Sequence, residues 1–110
     1  MQRSPYIEVF IEDISETSER IRIVGRCVSV DASDKYIVVD DTTGLIQVNI
    51  REGMNTAEEL MGETVRVLGI VIIYPNTGKL EIGADIVQKF PIDLELYQNI
   101  KKIEMTSFNE

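Results

Sequence analysis

One stretch decides the fold of this chain: Arg20-Ile21-Arg22-Ile23-Val24-Gly25-Arg26-Cys27-Val28-Ser29-Val30-Asp31. Its apolar residues follow the period of two that is typical of a strand, but the pattern changes phase in the middle. Ile21 and Ile23 occupy odd positions, whereas the valines that follow Cys27 occupy even positions. Gly25 lies at the change, and a glycine where the alternation slips indicates a bulge or a sharp coil. Such a strand can bend around a small barrel or serve two sheets.

A second long strand is predicted from Thr64 to Tyr74, with Gly69 at its middle as Gly25 is in the first. Shorter apolar segments bounded by turn signals predict three more strands. Between the third and fourth strands, a segment ended by Gly62 predicts one or two helical turns. These remaining elements are strands over 36–40, 45–50 and 80–90 and the short helix over 55–61.

The order of three strands, a short helix and two strands is the pattern of the OB-fold. We therefore predict an all-β protein: a five-stranded OB-fold barrel with a short helix between strands 3 and 4 and a C-terminal helix. An open sandwich of the same strands is the alternative, and the two glycine-centred strands favour closure. The predicted organisation is an N-terminal arm over 1–19, the barrel over 20–90 and a C-terminal assembly helix over 91–110.

The C-terminal segment has a clear helix start. Pro91 ends the preceding strand, and Asp93 is a good N-cap because its carboxylate can accept from the free amides of the first turn. At about 100° per residue, one apolar stripe contains Leu96, Ile100 and Ile103. Leu94 and Met105 fall nearly opposite this stripe, and Tyr97 lies between the two sets. Two apolar sides indicate that the helix packs on the barrel and on something else, although simple exposure of one set is the alternative.

The composition limits the classes of partner. The chain has 110 residues, a net charge of −8, 44% apolar and 27% charged residues, which fits one folded domain. Nucleic-acid binders usually carry a basic field, so this chain either binds through a weak local patch or acts on another protein. No signal peptide or membrane-spanning segment is predicted, and the single cysteine excludes an internal disulfide. We expect an intracellular protein, nuclear if eukaryotic and in the cytoplasm or nucleoid if archaeal.

Enzymatic chemistry has little support in the residues. The sequence has no histidine, which removes the commonest general base and metal ligand. Asp40 and Asp41 precede Thr-Thr-Gly, a pattern far more typical of a tight turn than of a metal site. Cys27 lies in a strand and is expected to be a buried small hydrophobe. We predict no enzymatic activity, no metal or other cofactor, and neither a small-molecule substrate nor a membrane partner.

A weak nucleic-acid surface is a further candidate. Small OB barrels bind single strands on the face of strands 2 and 3 and the adjoining loops, combining basic groups with aromatic stacking. The candidate residues are Arg22, Arg26, Lys35, Tyr36, Gln47, Asn49 and Arg51. The alternative is that the arginines are ordinary solvated strand residues and that Tyr36 fills or caps the core.

Three segments resemble the smallest subunit of replication protein A. The first is the tail, Phe90-Pro91-Ile92-Asp93-Leu94-Glu95-Leu96-Tyr97, which continues into an apolar helix with lysines. The others are Val24-Gly25-Arg26 followed by an apolar run and Asp31, and Ile37-Val38-Val39-Asp40-Asp41 before Gly44. The resemblance spans roughly residues 20–104, and its most specific part is the Asp-Leu-x-Leu-Tyr element of the tail.

The resemblance implies a role in assembly. In that family the smallest subunit is mainly a scaffold whose C-terminal helix joins helices of two larger OB-fold subunits. The heterotrimer coats single-stranded DNA in DNA replication, repair and recombination. A subunit interface is thereby implied at Leu94, Leu96, Tyr97, Ile100, Lys101, Ile103 and Met105.

The arm over 4–19 and the short turn between strands 2 and 3 depart from the family pattern. Three alternatives therefore stay open. One is the small OB subunit of a telomere-capping CST-type complex, and another is an independent RNA- or tRNA-binding OB module. The third is a homodimer that buries the same helix against its own copy.

Overall fold

The computed structural model describes residues 5–31, 33, 35–51 and 57–108, and the side chains at 57 and 105–108 lie outside that description. Within it, the strands are β1 (Ile7–Glu8), β2 (Arg20–Asp31), β3 (Tyr36–Asp40), β4 (Leu45–Asn49), β5 (Thr64–Tyr74) and β6 (Lys79–Lys89). A 3-10 helix spans Ile11–Asp13, and the α-helices are α1 (Ala57–Leu60) and α2 (Leu94–Phe108). The first part of the helix predicted over 55–61 lies outside the described residues.

Strands β2 to β6 close into a barrel. β3 pairs antiparallel with β2 and β4, and β5 pairs antiparallel with β6 and with the first half of β2. A parallel pairing of β4 with β6, in which Gln47 lies beside Glu81, completes the ring. β1 is one more strand, paired parallel with β2 at Ile21 and Arg22. The predicted all-β fold, an OB-fold barrel with a short helix before its fourth strand and a C-terminal helix, is confirmed.

Gly25 lies where β2 changes partner. Residues up to Arg26 pair with β5, and residues from Arg26 onwards pair with β3. A Cβ atom at Gly25 would lie 2.7 Å from the carbonyl oxygen of Asp40, so the two strands approach too closely for any larger residue. The register shift itself falls at Val28, later than the sequence pattern indicated, because Val28 has no opposite residue on β3.

The N-terminal arm completes the core, a placement that the sequence pattern left open. Ile11 and Ile14 join the buried aliphatic cluster of the barrel. The main-chain amide of Ile11 donates to Oδ2 of Asp41 at 2.7 Å, and Thr43 donates to Oδ1 from its amide and its hydroxyl. Asp41 is fully buried, as hydrogen-bonded polar groups inside proteins can be. Its carboxylate holds the β3–β4 turn at Thr43 and the N-terminal arm at Ile11.

This arrangement supports the turn interpretation of Asp40 and Asp41. The carboxylate of Asp40 accepts from the main-chain amide of Thr42 at 2.7 Å, which closes the same turn. In the described part of the chain, no three potential metal-ligating residues form a group that would hold an ion.

α2 begins where the sequence predicted. Oδ1 of Asp93 accepts from the main-chain amide of Leu96 at 3.1 Å, which is N-cap geometry. β6 has already ended at Lys89, before Pro91. α2 lies on the outside of β2. Among the helices formed by the described residues, none has the length and apolar character needed to span a membrane.

Candidate assembly surface and nucleic-acid face

The side of α2 that meets the barrel is polar at its centre. Nε2 of Gln98 lies 2.6 Å from the carbonyl oxygen of Asp41 and 3.4 Å from that of Val24. Nζ of Lys101 donates to the carbonyl oxygen of Val9 at 2.8 Å. Val9 directly follows β1 and Asp41 directly follows β3, so their carbonyls lie just beyond the ends of the ladders with β2. Gln98 and Lys101 therefore complete the hydrogen bonding of the barrel wall. We call the contact of these two side chains with the barrel the helix seat.

Glu8 connects the same side of the helix to the sheet. Its Oε2 accepts from the hydroxyl of Tyr97 at 2.6 Å, and its Oε1 pairs with Nε of Arg22 at 2.9 Å. Nζ of Lys101 lies 3.7 Å from Oε2. Burial lowers the pKa of Lys101, and the charges of Glu8 and Asp41 oppose that shift only in part. Burial and the hydrogen bond to Glu8 raise the pKa of Tyr97.

Aromatic contacts fix the start of the helix. The ring of Tyr97 meets that of Phe90 edge to face, with centroids 5.8 Å apart. The guanidinium of Arg66 lies 5.1 Å from the centroid of Phe90, and Nζ of Lys101 lies 4.4 Å from that of Phe10. Both cations therefore face aromatic rings that border the helix seat.

The outer side of α2 carries an apolar stripe, defined by Leu96, Ile100 and Ile103. These side chains are 58%, 49% and 66% exposed. A helix that covers a single domain normally turns its apolar side inward and its polar side to water. In α2 the arrangement is reversed, because the inward side is built around Gln98 and Lys101. The stripe is therefore a candidate protein-binding surface.

The remaining residues of the predicted interface have other positions. Tyr97 and Lys101 contact the barrel of their own chain, and Lys101 is only 3% exposed. Leu94 is half-buried and lines a groove of about 570 Å³ between α2 and the barrel. The side chain of Met105 lies outside the described part of the structure. Sequence reasoning missed the polar seat, because glutamine and lysine in an amphipathic helix normally indicate a solvated side.

Three nucleic-acid candidates share the outer face of β3 and β4. Tyr36 pairs with Asn49 across the two strands, and Gln47 lies two residues before Asn49 on the same face. Beside them is a groove of about 510 Å³ that the β5–β6 turn completes. Its lining residues are Gln47, Asn49, Tyr74, Pro75, Asn76, Thr77, Lys79 and Glu81. Tyr74 is 43% exposed and is available for stacking.

A carboxylate stands in the middle of this face. Glu81 is buried, its Oε1 accepts from Nδ2 of Asn49 at 3.0 Å, and its Oε2 lies 3.1 Å from Nζ of Lys79. Burial would raise the pKa of Glu81, but hydrogen bonds from Asn49, Lys79 and Tyr74 outweigh it and lower the pKa. The carboxylate therefore stays ionised at neutral pH, and it places a negative charge, paired with Lys79, in the middle of the face.

The basic candidates do not form one patch. Arg22 pairs with Glu8 at the helix seat, and Arg51 lies 3.5 Å from Asp85 of β6. Arg26 lines the groove beside α2. Lys35 occupies the β2–β3 turn with a φ of 58°. The four cations thus lie at separate places around the barrel.

Cys27 is fully buried in the barrel core. Burial raises the pKa of its thiol above the usual value, and hydrogen bonds with the backbone at Ser29 and Gly62 oppose the shift only in part. A protonated, inaccessible thiol has the character of the small hydrophobe that the sequence indicated.

No protein-family model matches this chain, and no curated protein matches it. Solved structures match it in fold. The hypothetical protein ygiW from E. coli superposes with a TM-score of 0.57 at 22% identity, covering 79% of this chain and 91% of that protein. Asparaginyl-tRNA synthetase from Pyrococcus horikoshii, complexed with asparaginyl-adenylate, superposes with a TM-score of 0.60 at 18% identity, covering 82% of this chain and 25% of the synthetase chain.

A chain of a replication protein A heterotrimer bound to ssDNA is also similar. It superposes with a TM-score of 0.53 at 17% identity, covering 96% of this chain and 84% of that chain. At identities this low the likeness establishes a common OB-fold and nothing finer. The resemblance predicted from sequence is thus confirmed at the level of fold.

Proposed function

We propose that this chain is the small scaffold subunit of a heterotrimeric, single-stranded-DNA-binding complex similar to replication protein A. In this role it assembles through α2 with two larger OB-fold subunits and has no enzymatic activity. Single-stranded DNA is held by the complex, and this chain contributes little direct contact. The complex acts in DNA replication, repair and recombination.

The observation that carries the proposal is the orientation of α2. Polar contacts seat it on the barrel, and Leu96, Ile100 and Ile103 face outward. Full burial of an aliphatic side chain of this size stabilises an interface by about 1.5–3 kcal/mol. The stripe is therefore large enough to contribute most of the binding free energy of a helix–helix contact.

Three further findings support a scaffold over an independent DNA binder. The net charge of −8 lacks the basic field that phosphate binding requires. The outer face of β3 and β4 carries the ionised Glu81 at its centre. The superposition on a chain of a replication protein A heterotrimer covers nearly the whole chain, α2 included.

Affinity purification of the tagged chain from its own cells, followed by native mass spectrometry, tests the proposal. We expect a 1:1:1 complex with two larger OB-fold subunits. Ile100→Asp is expected to abolish assembly because it places a charge in the stripe, without touching the contacts that seat the helix. Asn99→Asp is the matched control, since Asn99 is an exposed neighbour outside the stripe.

Normal assembly of Ile100→Asp would refute the scaffold function. Recovery of RNA with the chain alone would favour the independent RNA-binding module. A mass of twice the chain would favour the homodimer.

A further inference from the structure

The outer surface of β2, β5 and β6 next to α2 has no part in the proposed function so far. Strand pairing places Arg22 beside Leu68, and Leu68 beside Ile86. One step further along, Arg20 lies beside Ile70, and one step nearer the helix Val24 lies beside Arg66. We call this surface the arginine face, defined by Arg20, Arg22, Arg66, Leu68, Ile70 and Ile86.

The arginine face exposes aliphatic side chains between its cations. Ile70 is 46% exposed and Ile86 is 44% exposed, although both lie in the middle of long strands. Val67 and Val87, which point inward from the same two strands, are buried. The face is therefore the solvent side of the barrel wall, and it is more apolar than such a side usually is.

Two of its cations have no carboxylate partner among the described residues. Arg66 donates to Oε1 of Gln88 and lies over the ring of Phe90, both neutral groups. Arg20 lies 5.7 Å from the centroid of Tyr6. Only Arg22 is paired, with Glu8. Unpaired arginines are notable in a chain with 19 acidic and 11 basic residues, and they make this face complementary to an acidic ligand.

The arginine face borders the seat of α2. Gln98 of the helix contacts Val24, whose neighbour on β5 is Arg66. The contacts from Arg66 to Phe90 and from Phe90 to Tyr97 run from the sheet to the helix. A ligand lying against the sheet here would therefore also meet the flank of α2.

The strand pairing decides what kind of segment can bind. On this face β5 is paired along one edge with β2 and along the other with β6. A partner strand has no open ladder to join, so recognition must use side chains only. An amphipathic helix lying in the angle between a helix and a sheet is the binding mode that fits.

We propose that the arginine face binds an acidic amphipathic helix of a protein partner, whose apolar side covers Ile70 and Ile86 and whose carboxylates pair with Arg20 and Arg66. If the partner is one of the larger subunits, the docking surface of α2 continues onto the barrel wall. Only the identification of the partner as a larger subunit rests on the proposed function. The surface itself can be tested without it.

The test measures fluorescence anisotropy of two synthetic helical peptides against the full chain. Both peptides carry the same leucine stripe, flanked by glutamates in one and by lysines in the other. We expect the glutamate peptide to bind and the lysine peptide to bind about tenfold more weakly or not at all. The double variant Arg20→Gln/Arg66→Gln should lose affinity for the glutamate peptide by about tenfold.

The matched control is Arg26→Gln/Lys79→Gln, which changes the net charge equally outside the arginine face and should leave affinity unchanged. Equal binding of the two peptides, no binding at all, or equal losses in both double variants would overturn the inference. If Ile100→Asp loses affinity for the glutamate peptide and Arg20→Gln/Arg66→Gln does not, the peptide binds the stripe and the arginine face is not a docking site. If the peptides bind as expected but no heterotrimer is recovered from cells, the arginine face is a docking site and the scaffold function is refuted.

Discussion

The side-chain amide of Gln98 donates a hydrogen bond to the main-chain carbonyl oxygen of Asp41 at 2.6 Å. The two residues are 57 positions apart in the chain, and both are buried. This contact fixes α2 to the turn between β3 and β4. Together with the contact from Lys101 to Val9, it holds against the barrel the side of α2 that faces away from the apolar stripe.

Replacing Gln98 with Met should destabilise the protein by about 1–3 kcal/mol, because buried carbonyl oxygens of Asp41 and Val24 would lose their donor. The free energy of unfolding in urea measures the effect. Asn99→Met alters the neighbouring exposed residue and should change stability by less than about 0.5 kcal/mol. Equal effects of the two variants would mean that the hydrogen bonds of Gln98 add nothing to stability.

Gly25→Ala should destabilise the barrel by about 1–3 kcal/mol, since the new Cβ would meet the backbone of Asp40, which cannot move without separating β2 from β3. Gly83→Ala is the control. There the Cβ would lie 3.0 Å from the terminal methyl of Ile72, which can rotate away. Thermal unfolding of both variants compares them, and a larger loss for Gly83→Ala would contradict the close-approach argument.

The pKa of Tyr97 is raised in the folded state above its usual value of 10.0. The folded protein therefore keeps this proton at a pH where the unfolded chain has lost it. The resulting stability is fully present below pH 10.0 and is lost as the pH rises through the folded pKa. Unfolding midpoints across the alkaline range should thus fall more steeply for wild type than for Tyr97→Phe, which keeps the ring contact with Phe90. Parallel curves would refute the raised pKa of Tyr97 in the folded protein.

Glu81→Gln should raise the affinity of the isolated chain for a single-stranded oligonucleotide by about threefold at low salt, because it removes the charge from the centre of the β3–β4 face. The gain should shrink as salt is added. Glu63→Gln removes a charge elsewhere, at an exposed residue paired with Lys89, and serves as the control. If both variants gain equally, only net charge matters and Glu81 has no local effect.

The strands were predictable because their apolar period is local. The start of α2 was also predictable, since Asp93 caps a helix within three residues of itself. The sequence pattern placed the bulge at Gly25, whereas it lies at Val28. A change of phase in the apolar pattern shows that a strand is irregular, but it does not show which residue lacks an opposite partner. The identity of the outward side of α2 was not predictable. Its contacts join Tyr97 to Glu8 and Lys101 to Val9, and no local pattern encodes pairings across 89 and 92 positions.

The seat of α2 on Glu8 and Val9 has a consequence for biogenesis. A chain emerging from the ribosome can form β1 and most of the barrel before residues 97 and 101 have been synthesised. The helix cannot take its final orientation until those residues reach partners that lie 89 and 92 positions earlier in the chain. A nascent or interrupted chain would therefore not display the stripe as the finished molecule does. A partner that recognises the stripe in this orientation would therefore bind only after the barrel has formed.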